Sequence, residues 1–317
     1  MTSSDCLEIR SVGPEAAAEV LAVVQAAFAA RPALDPPADA LAETEETIGG
    51  LLASAGGLLA TADGRPVGAV ILDPVGTAIY LRRFGVDPTA QGRGIARLLV
   101  RAGLAEASRR GCRRVVILAR PELPRTTGFW RDMGFVETAR PAPYVEMARP
   151  VPVVRDVPSA DAMRELGGRV ARVVAAGDVI VLSGELGAGK TTFTQGLGEG
   201  LGVRGGVTSP TFVIARVHPS LVDGPPLVHV DAYRLGGHAE LDDLDLDADL
   251  ADAVTVVEWG TGLAEGLADD RLEIRIDRAT ATVEVDAEAD PRIVEIDPVG
   301  QRWLDVDLAA ALRIDLA

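Results

Sequence analysis

The stretch Ser183–Phe193, SGELGAGKTTF, contains the single lysine of a chain whose other 30 Lys or Arg side chains are all arginine. An apolar stretch, Asp178–Leu182, runs directly into it and is predicted to be a buried strand, and a helix-forming stretch leaves it. Four of its residues satisfy the pattern G-x-x-x-x-G-K-[ST]: Gly184, Gly189, Lys190 and Thr191. A strand, a glycine-rich loop and a helix in this order predict a phosphate-binding loop.

The residue types of this loop indicate how ATP is held. Its glycines let successive N–H groups point inward, which makes an anion nest at a helix N-terminus. Lys190 is expected to reach the β- and γ-phosphates, and the Thr191 hydroxyl to ligate Mg²⁺. A compact ammonium fits such a nest better than the planar fork of arginine, which explains the single lysine. The predicted nucleotide-binding residues of the loop are Gly184, Gly187, Ala188, Gly189, Lys190, Thr191 and Thr192.

Two predicted strands further along the chain end in a carboxylate. LVHVDAYRL supplies Asp231 and AVTVVEWG supplies Glu258. Because the carboxyl ends of parallel strands meet at one edge of a sheet, we expect both groups beside the nucleotide, where they handle metal or water. We predict Lys190, Asp231 and Glu258 as catalytic. The stretch GVTSPTF indicates either a hydroxyl-rich turn or a switch loop that senses the γ-phosphate through Thr208, Ser209 and Thr211.

Charge is unevenly distributed along the 317 residues. Residues 1–150 carry 17 arginines and 17 acids, whereas residues 151–317 carry 13 arginines and one lysine against 30 acids. A half this acidic repels a nucleic-acid backbone, so any RNA is expected to be held by a partner. No apolar run is long enough to span a bilayer, and the acidic start predicts no signal peptide, hence a cytoplasmic protein with no membrane partner. The three histidines lack metal-binding spacing, and we assign them no catalytic role.

The length predicts two domains at about 150 residues each. The proline-rich stretch RPAPYVEMARPVPVVRDVP, residues 140–158, separates them. We predict a first domain over 1–148, a linker over 149–154 and a second domain over 155–317. Both domains are predicted to be α/β, the first with a mixed sheet and the second with a mostly parallel sheet around the phosphate loop.

Four motifs in order, GELGAGKTTFTQGLGEGLG, VTSPTF, HVDAYRL and VVEWG, resemble the TsaE (YjeE) family of bacterial tRNA threonylcarbamoyladenosine (t6A) biosynthesis ATPases. The resemblance covers about Asp156–Trp303. It implies ATP hydrolysis in complex with the TsaB–TsaD pair, with tRNA contacted only through these partners. The residue matches imply phosphate binding by Lys190, Mg²⁺ ligation by Thr191 and Glu258, hydrolysis by Asp231, and nucleotide contacts by Trp259 and by the segment that starts at Ser159.

A second glycine-containing turn lies in the first half. Gln91–Ala96, QGRGIA, follows a predicted strand and opens a predicted helix, an arrangement suited to a pyrophosphate. Arg97 replaces the third glycine of a dinucleotide fingerprint. With RRVVILA and TTGFWRDMGFVET, the turn resembles the GNAT N-acetyltransferase family over about Leu7–Ala148. The resemblance implies that acetyl-CoA is held by Val86, Gln91, Gly92, Arg93, Gly94, Ile95 and Ala96.

The same resemblance implies that the pantetheine arm of acetyl-CoA pairs along Phe84–Val86 and that acetyl passes to an amine acceptor. Trp130 stands where many family members have a tyrosine general acid, and indole cannot protonate a leaving thiolate. Tyr144 or water is the expected substitute. Two other functions stay open for the whole chain: a nucleotide-dependent regulatory switch whose first domain senses acetyl-CoA, and a phosphate-loop small-molecule kinase.

Overall fold

The computed structural model describes residues 7–210, 213–234, 251–262, 266–279 and 291–313. The chain divides into two compact units, Met1–Val151 and Pro152–Ala317. The division falls within the predicted linker, but strands end at Pro150 and resume at Val153. The stretch outside strands is therefore shorter than 149–154, since prolines are accepted at the ends of strands, where no ladder donor is needed.

The N-terminal unit is one seven-stranded sheet in the order β1-β2-β3-β4-β5-β7-β6. Only the β4–β5 pair is parallel. The strands are β1 (Leu7–Val12), β2 (Gly57–Ala62), β3 (Arg65–Val75), β4 (Ala78–Val86), β5 (Arg114–Ala119), β6 (Val136–Ala139) and β7 (Val145–Pro150). The helices are α1 (Ala17–Ala29), α2 (Glu45–Ala55), α3 (Ile95–Arg109) and α4 (Pro124–Asp132).

Strand β3 carries the core of this unit on both of its faces. Ala69 and Ile71 pack in the cluster that includes Val20 and Leu52 of α1 and α2. Val70 and Leu72 belong to the opposite cluster, which includes Leu99 of α3. A strand buried on both sides must be continuously apolar, which is why it reads GAVIL rather than alternating.

Strands β4 and β5 separate after a short paired stretch. In this fully described region they pair only from Ala78–Tyr80 to Arg114–Val116. On its other side β4 has a bulge against β3 at Arg83 and Phe84, and Arg83 has a φ of 53°. Bulges end regular pairing and redirect backbone groups. A wedge therefore opens between the second halves of β4 and β5.

The C-terminal unit is a second seven-stranded sheet, in the order β10-β11-β12-β9-β13-β14-β8. The neighbours β11, β12, β9 and β13 are parallel, and the outer pairs are antiparallel. The strands are β8 (Val153–Val157), β9 (Val179–Ser183), β10 (Ala215–His218), β11 (Leu227–Asp231), β12 (Val254–Glu258), β13 (Arg271–Arg278) and β14 (Arg292–Val299). The helices are α5 (Ala160–Val170), α6 (Lys190–Leu201) and α7 (Leu308–Ala311).

The parallel register positions the candidate site. Asp231 pairs with Glu258, and Glu258 pairs with Leu182 of β9, immediately before the phosphate loop. Helix α6 leaves the loop and buries Phe193, Leu197 and other residues of one face against the sheet. The predicted fold class, two α/β domains of which the second contains the phosphate loop, is confirmed.

Within the described ranges, no helix combines the length and the apolarity needed to cross a lipid bilayer. The predicted strand at 211–217 begins at Ala215 in the described part, while Thr211 and Phe212 lie outside it. Most of the acidic stretch 240–252 and His238 also lie outside the described residues.

Candidate functional site

The phosphate loop connects β9 to α6 in a backbone conformation that glycine permits. Gly184 has a φ of 144°, and a Cβ there would lie 2.4 Å from the carbonyl oxygen of Ile276 in β13. Gly189, the N-cap of α6, is left-handed with a φ of 111°. The N–H groups of the first helical turn have no intrahelical acceptor, so they are available to an anion at the loop.

Lys190 is buried at the start of α6 and has no carboxylate in direct contact among the described residues. Its Nζ donates to the carbonyl oxygens of Gly184 at 2.8 Å and Glu185 at 3.0 Å. The same nitrogen lies 3.8 Å from the centre of the Trp259 ring. Burial lowers the pKa of Lys190, and the charges of Glu258 and Asp231 oppose that shift. The loop thus holds a desolvated cation where a phosphate can supply the counter-charge.

Two carboxylates and two hydroxyls lie opposite the loop. The Thr191 Oγ1 is 3.1 Å from Oε1 of Glu258. Ser209 Oγ donates to Oδ2 of Asp231 at 3.0 Å, and the Tyr233 amide donates to Oδ1 at 3.0 Å. These groups share a cavity of about 460 Å³, which is lined by Leu186, Gly187, Ala188, Gly189, Lys190, Thr191, Thr192, Ser209, Asp231, Tyr233, Glu258 and Trp259.

The donor atoms of Thr191 and Glu258 fit Mg²⁺. A hydroxyl and a carboxylate are hard oxygen ligands, and Mg²⁺ is usually held by one or two protein groups while it keeps water and phosphate oxygens. Among the described residues, no group of three or more His, Cys, Asp or Glu side chains could hold a metal ion. The pair is therefore a partial coordination shell that a nucleotide would complete.

Trp259 has a backbone conformation that is uncommon for a side chain of its size. Its φ is 62°, and its amide donates to the carbonyl of Leu182 at 2.9 Å. The indole contacts Tyr233 with ring centres 5.2 Å apart. A bulky residue in the left-handed region is strained, and such strain is commonly found at functional sites. The ring forms part of the cavity wall, as a residue beside the nucleotide would.

Four residues predicted for this site lie off this wall or outside the described chain. Gly184 begins the loop but does not line the cavity. Ser159 caps α5, where its Oγ accepts from the Ala162 amide at 3.2 Å. Thr208 is exposed, and its Oγ1 accepts from Arg216 at 3.2 Å. Thr211 lies outside the described residues. Of the predicted switch-loop residues in the described ranges, Ser209 alone lines the cavity. A nucleotide contact by Ser159 and a switch role for the loop stay predictions.

His229 belongs to the site, although sequence spacing gave no reason to assign it a role. Its side chain is fully buried, and its Nε2 lies 3.0 Å from Oε1 of Glu258. An ionised carboxylate only accepts hydrogen bonds, so this contact requires the proton on Nε2. His229 precedes Asp231 by two residues, so both side chains lie on one face of β11. The two-residue spacing of His229 and Asp231 along a strand, rather than metal-ligand spacing, is the sequence signal that could have indicated His229 as a site residue.

Arg292 is a second residue that the motifs do not contain. It is buried at the start of β14, and it holds the phosphate loop from behind. Its Nε donates to the carbonyl of Ala188 at 3.0 Å, and its Nη2 donates to that of Gly187 at 3.3 Å. No spacing within the chain links Arg292 to a loop about a hundred residues earlier.

The N-terminal unit contains the second candidate site. Helix α3 starts at Ile95, after Gly92 and Gly94 in left-handed conformations with φ of 80° and 77°. The Leu98 amide donates to the Gly94 carbonyl at 3.1 Å, so the amides that precede it have no acceptor in the helix. Strand β4 ends at Val86, just before this turn. The predicted acetyl-CoA residues thus lie along one strand end and one helix N-terminus.

A cavity of about 170 Å³ occupies the wedge between β4 and β5. Trp130 is buried on its wall, and its ring meets Phe84 edge-on with centres 5.0 Å apart. Tyr144 is a second wall residue, so a phenol is present where Trp130 cannot donate a proton. Tyr80 donates to Glu146 at 3.1 Å, and burial, followed by this hydrogen bond, raises the pKa of Tyr80.

The C-terminal unit is thus a phosphate-loop nucleotide-binding domain, and the N-terminal unit is an α/β domain that has a wedge-shaped cavity between β4 and β5 and a glycine-containing turn before α3. Residues 157–285 match the family described as "Threonylcarbamoyl adenosine biosynthesis protein TsaE". Residues 23–135 match the "Acetyltransferase (GNAT) family".

Relatives with curated names match the C-terminal unit. The chain is 64% identical over 148 residues to the Streptomyces coelicolor tRNA threonylcarbamoyladenosine biosynthesis protein TsaE, covering 46% of this chain and 97% of that protein. It is 50% identical over 131 residues to TsaE of Mycobacterium tuberculosis strain H37Rv, covering 39% and 78%. The chain belongs to the TsaE family through its C-terminal unit.

Solved structures similar to each unit are also known. YdiB of Bacillus subtilis matches with a TM-score of 0.38 and 33% identity, covering 48% of this chain and 88% of that one. The PaiA N-acetyltransferase of Thermoplasma acidophilum, in complex with coenzyme A, matches with a TM-score of 0.42 and 15% identity, covering 46% and 99%. The family matches identify the chain as an enzyme that combines a GNAT-family domain with a TsaE domain.

Proposed function

We propose that the C-terminal unit hydrolyses Mg·ATP and acts in t6A biosynthesis together with the TsaB–TsaD pair. The observation that carries the proposal is the arrangement of Lys190, Thr191, Asp231 and Glu258 around one cavity. Membership of the TsaE family supports the pathway, because its named relatives are t6A biosynthesis proteins. The geometry of the site supports the proposed ATP hydrolysis, and membership of the TsaE family supports the proposed role in t6A biosynthesis.

Each side chain at the cavity has a separate proposed role in ATP hydrolysis. Lys190 and the amides of the loop would neutralise the terminal phosphates of ATP, and Glu258 with Thr191 would hold Mg²⁺. When bound, Mg²⁺ supplies charge stabilisation at the phosphate oxygens. Asp231, held by Ser209 and by the Tyr233 amide, would orient the attacking water. Hydrolysis then transfers the γ-phosphoryl group of ATP to that water, and ADP leaves.

The acidity of the C-terminal unit supports a protein partner rather than direct tRNA binding. Residues 151–317 carry 30 acids against 14 basic side chains. Affinity for a phosphate backbone depends on cations that displace its counterions, and this unit has few of them. We therefore assign tRNA contact to TsaB–TsaD.

Reconstitution of tRNA modification tests the ATPase proposal. The full chain, as wild type or Lys190→Ala, is mixed with TsaB–TsaD, tRNA, ATP and the threonylcarbamoyl donor, and t6A is counted per enzyme. We expect multiple turnovers for wild type and their loss for Lys190→Ala. Unchanged modification by the variant would remove the ATPase proposal. Stimulation of ADP release by a small molecule instead of TsaB–TsaD would favour the kinase alternative, and ATP binding without turnover would favour the switch.

We further propose that the N-terminal unit transfers acetyl from acetyl-CoA to an amine. The carrying observation is the turn at Gly92–Gly94, which follows the end of β4 and opens α3, in a unit whose strands β4 and β5 border the wedge cavity. The amine nitrogen forms the amide bond, the C–S bond of the thioester breaks, and the amine's proton ends on the thiolate. Tyr144 is the proposed relay for this proton: its phenol would protonate the thiolate and then regain the proton that the amine nitrogen loses. Release of CoA thiol, measured with a panel of primary amines, tests the activity, and no release above the hydrolysis rate would reject it.

A further inference from the structure

The wedge cavity of the N-terminal unit has an unusually basic wall. Four of the side chains that line it are arginines, namely Arg31, Arg82, Arg83 and Arg120, and Asp39 is the single Asp or Glu among its lining residues. Residues 1–150 as a whole contain equal numbers of arginines and acids. Arginines therefore outnumber acids four to one among the residues that line this cavity.

Carboxylates outside the wall neutralise three of the four arginines. Arg82 pairs with Asp73, Arg83 with Glu43 at 2.6 Å, and Arg120 with Glu122 at 2.9 Å. Arg120 also donates to the carbonyls of Asp35 and Pro36, each at 2.8 Å. These ion pairs satisfy the local charge and hold the wall in place. They leave Arg31 as the exception.

Arg31 follows α1 and is held by two uncharged contacts. Its Nη2 donates to the Phe84 carbonyl at 3.2 Å, and its guanidinium carbon lies 3.7 Å from the centre of the Phe28 ring. Within residues 7–210, which are fully described, no carboxylate forms a hydrogen bond or ion pair with it. Burial alone lowers the pKa of Arg31, with no acidic group acting against the shift. A guanidinium has five N–H donors, and the Phe84 carbonyl accepts from one of them.

The position of Arg31 depends on the bulge in β4. The extra residue at Arg83–Phe84 interrupts pairing with β3, so the Phe84 carbonyl can accept from Arg31. A partly buried cation without a counter-charge is unfavourable in the protein alone. It becomes favourable when an anion enters the cavity, since charge-assisted hydrogen bonds to a guanidinium are strong and directional.

We propose that Arg31 binds a carboxylate of the amine acceptor, so that the substrate class is an amine with a carboxylate close to it. This inference rests on the proposed acetyltransferase function. Coenzyme A is not the counter-ion, because its phosphates are assigned to the turn at Gly92–Gly94 and its pantetheine arm is uncharged. The cavity that Arg31 lines has a volume of about 170 Å³.

Two sources share this chemistry: a free amino acid, and the N-terminus of a polypeptide that starts with Asp or Glu. Binding to the complex of the full chain with CoA is measured by calorimetry for paired ligands. One arm compares N-acetyl amino acids with their amides. The other compares N-acetylated tripeptide amides that start with Asp or Glu with those that start with Asn or Gln. These ligands mimic the product, so the measurement does not depend on turnover.

We expect the carboxylate member to bind about tenfold more tightly than its neutral partner in one of the two arms. Arg31→Met is expected to abolish that preference, and Arg31→Lys to retain part of it. The unfolding temperature serves as the check on folding. Arg101→Met, at an exposed arginine of α3 that does not line the cavity, is the matched control and should bind like wild type.

Equal binding of carboxylate and neutral ligands in both arms would overturn the inference, as would a preference that survives in Arg31→Met. A loss of CoA affinity in that variant would also overturn it, because Arg31 would then serve the cofactor. Failure of the inference and failure of the acetyltransferase proposal are distinct. Acetyl transfer without carboxylate preference rejects the inference alone. Arg31-dependent carboxylate binding without any acetyl transfer rejects the activity alone.

Discussion

The imidazole of His229 and the carboxylate of Glu258 form a buried contact, with Nε2 3.0 Å from Oε1. The same carboxylate oxygen lies 3.1 Å from the Thr191 hydroxyl. His229 Nδ1 is buried and has no hydrogen-bond partner among the described residues. The ring therefore acts through a single polar contact, which orients the carboxylate that we assign to Mg²⁺. His229 is a positioning residue, because it touches a ligand residue and not the reacting atoms.

Replacing His229 with leucine should weaken the use of Mg²⁺ more than the fold. Loss of a group that orients a metal ligand commonly costs about 10- to 100-fold in metal affinity or activity. We expect the Mg²⁺ concentration for half-maximal ATPase activity to rise by about tenfold. The enhancement of fluorescent-ADP binding by Mg²⁺ should shrink, while binding without Mg²⁺ stays near wild type.

Thr255→Val is the matched control for that substitution. Thr255 is fully buried in the neighbouring strand β12, and within the described ranges its Oγ1 has no hydrogen-bond partner. Its loss changes a buried polar group without touching Glu258, so Mg²⁺ dependence should not change. A His229→Leu enzyme with wild-type Mg²⁺ dependence would show that the contact has no positioning role.

Asp231→Asn should separate hydrolysis from nucleotide binding. The amide keeps the size of the side chain but removes the negative charge that orients water, and we expect the ATPase rate to fall by about 100-fold or more. Fluorescent-ATP affinity should stay within about threefold of wild type, because Lys190 and the loop amides bind the phosphates. Ser209→Ala, which removes one hydrogen bond to Asp231, should cost less than Asp231→Asn. Equal loss of binding and hydrolysis would contradict this division of roles.

The sequence could predict that Asp231 and Glu258 lie near the phosphate loop, because short patterns at the end of each strand indicate their positions. A glycine pattern after a strand specifies the loop, and apolar strands that end in a carboxylate bring their ends to one edge of a parallel sheet. The observed register of Asp231 with Glu258 confirms that reasoning at the level of the strands.

Contacts between distant segments could not be predicted from one sequence. Arg292 contacts the phosphate loop from β14. The contact of Arg31 with Phe84 depends on a bulge that no residue pattern in β4 predicts. The number of prolines predicts a linker but not its length, because Pro150 still pairs at the end of a strand. His229 lay within a recognised motif, but its role follows from side-chain packing across β11 and β12.

Arg292→Met should weaken nucleotide binding through the shape of the loop. The variant keeps the apolar stem but removes the hydrogen bonds to the carbonyls of Ala188 and Gly187, which fix the loop from the side of β14. We expect the Kd for fluorescent ADP to rise by about tenfold, as for loss of hydrogen bonds from a charged group. Arg275→Met is the control, since Arg275 is 60% exposed and forms surface ion pairs. Unchanged affinity in Arg292→Met would remove its assigned role.

His218 should make the C-terminal unit less stable in mild acid. The side chain is buried, and its Nε2 has no hydrogen-bond partner in the described part of the chain. Burial lowers its pKa from the ordinary value of 6.5, although a backbone hydrogen bond with Arg204 opposes the shift. Below pH 6.5 the unfolded chain therefore binds a proton that the folded unit does not, so the free energy of unfolding falls until the lowered pKa is reached.

The test of His218 compares urea unfolding of wild type and His218→Phe between pH 7.5 and pH 5, at about half-unit steps. A Trp130→Phe background confines tryptophan emission to the C-terminal unit, which contains Trp259 and Trp303. The stability of the variant relative to wild type should increase as the pH falls below the ordinary value for histidine. Two stability curves that run parallel over this range would contradict the assignment.

Gly94→Ala should weaken acetyl-CoA binding through the backbone at the start of α3. Gly94 has a φ of 77°, and a Cβ added there would have no heavy atom within 4 Å, so conformation rather than space requires glycine. Holding alanine in the left-handed region costs about 1–2 kcal/mol, which corresponds to roughly tenfold in affinity if binding requires the native turn. Gly64→Ala imposes the same strain at a φ of 76° in the turn between β2 and β3, also without close neighbours. Calorimetric titration with CoA should therefore show weaker binding for Gly94→Ala alone. Equal weakening in both variants would assign the effect to general destabilisation, and no weakening in either would reject the turn as the pyrophosphate site.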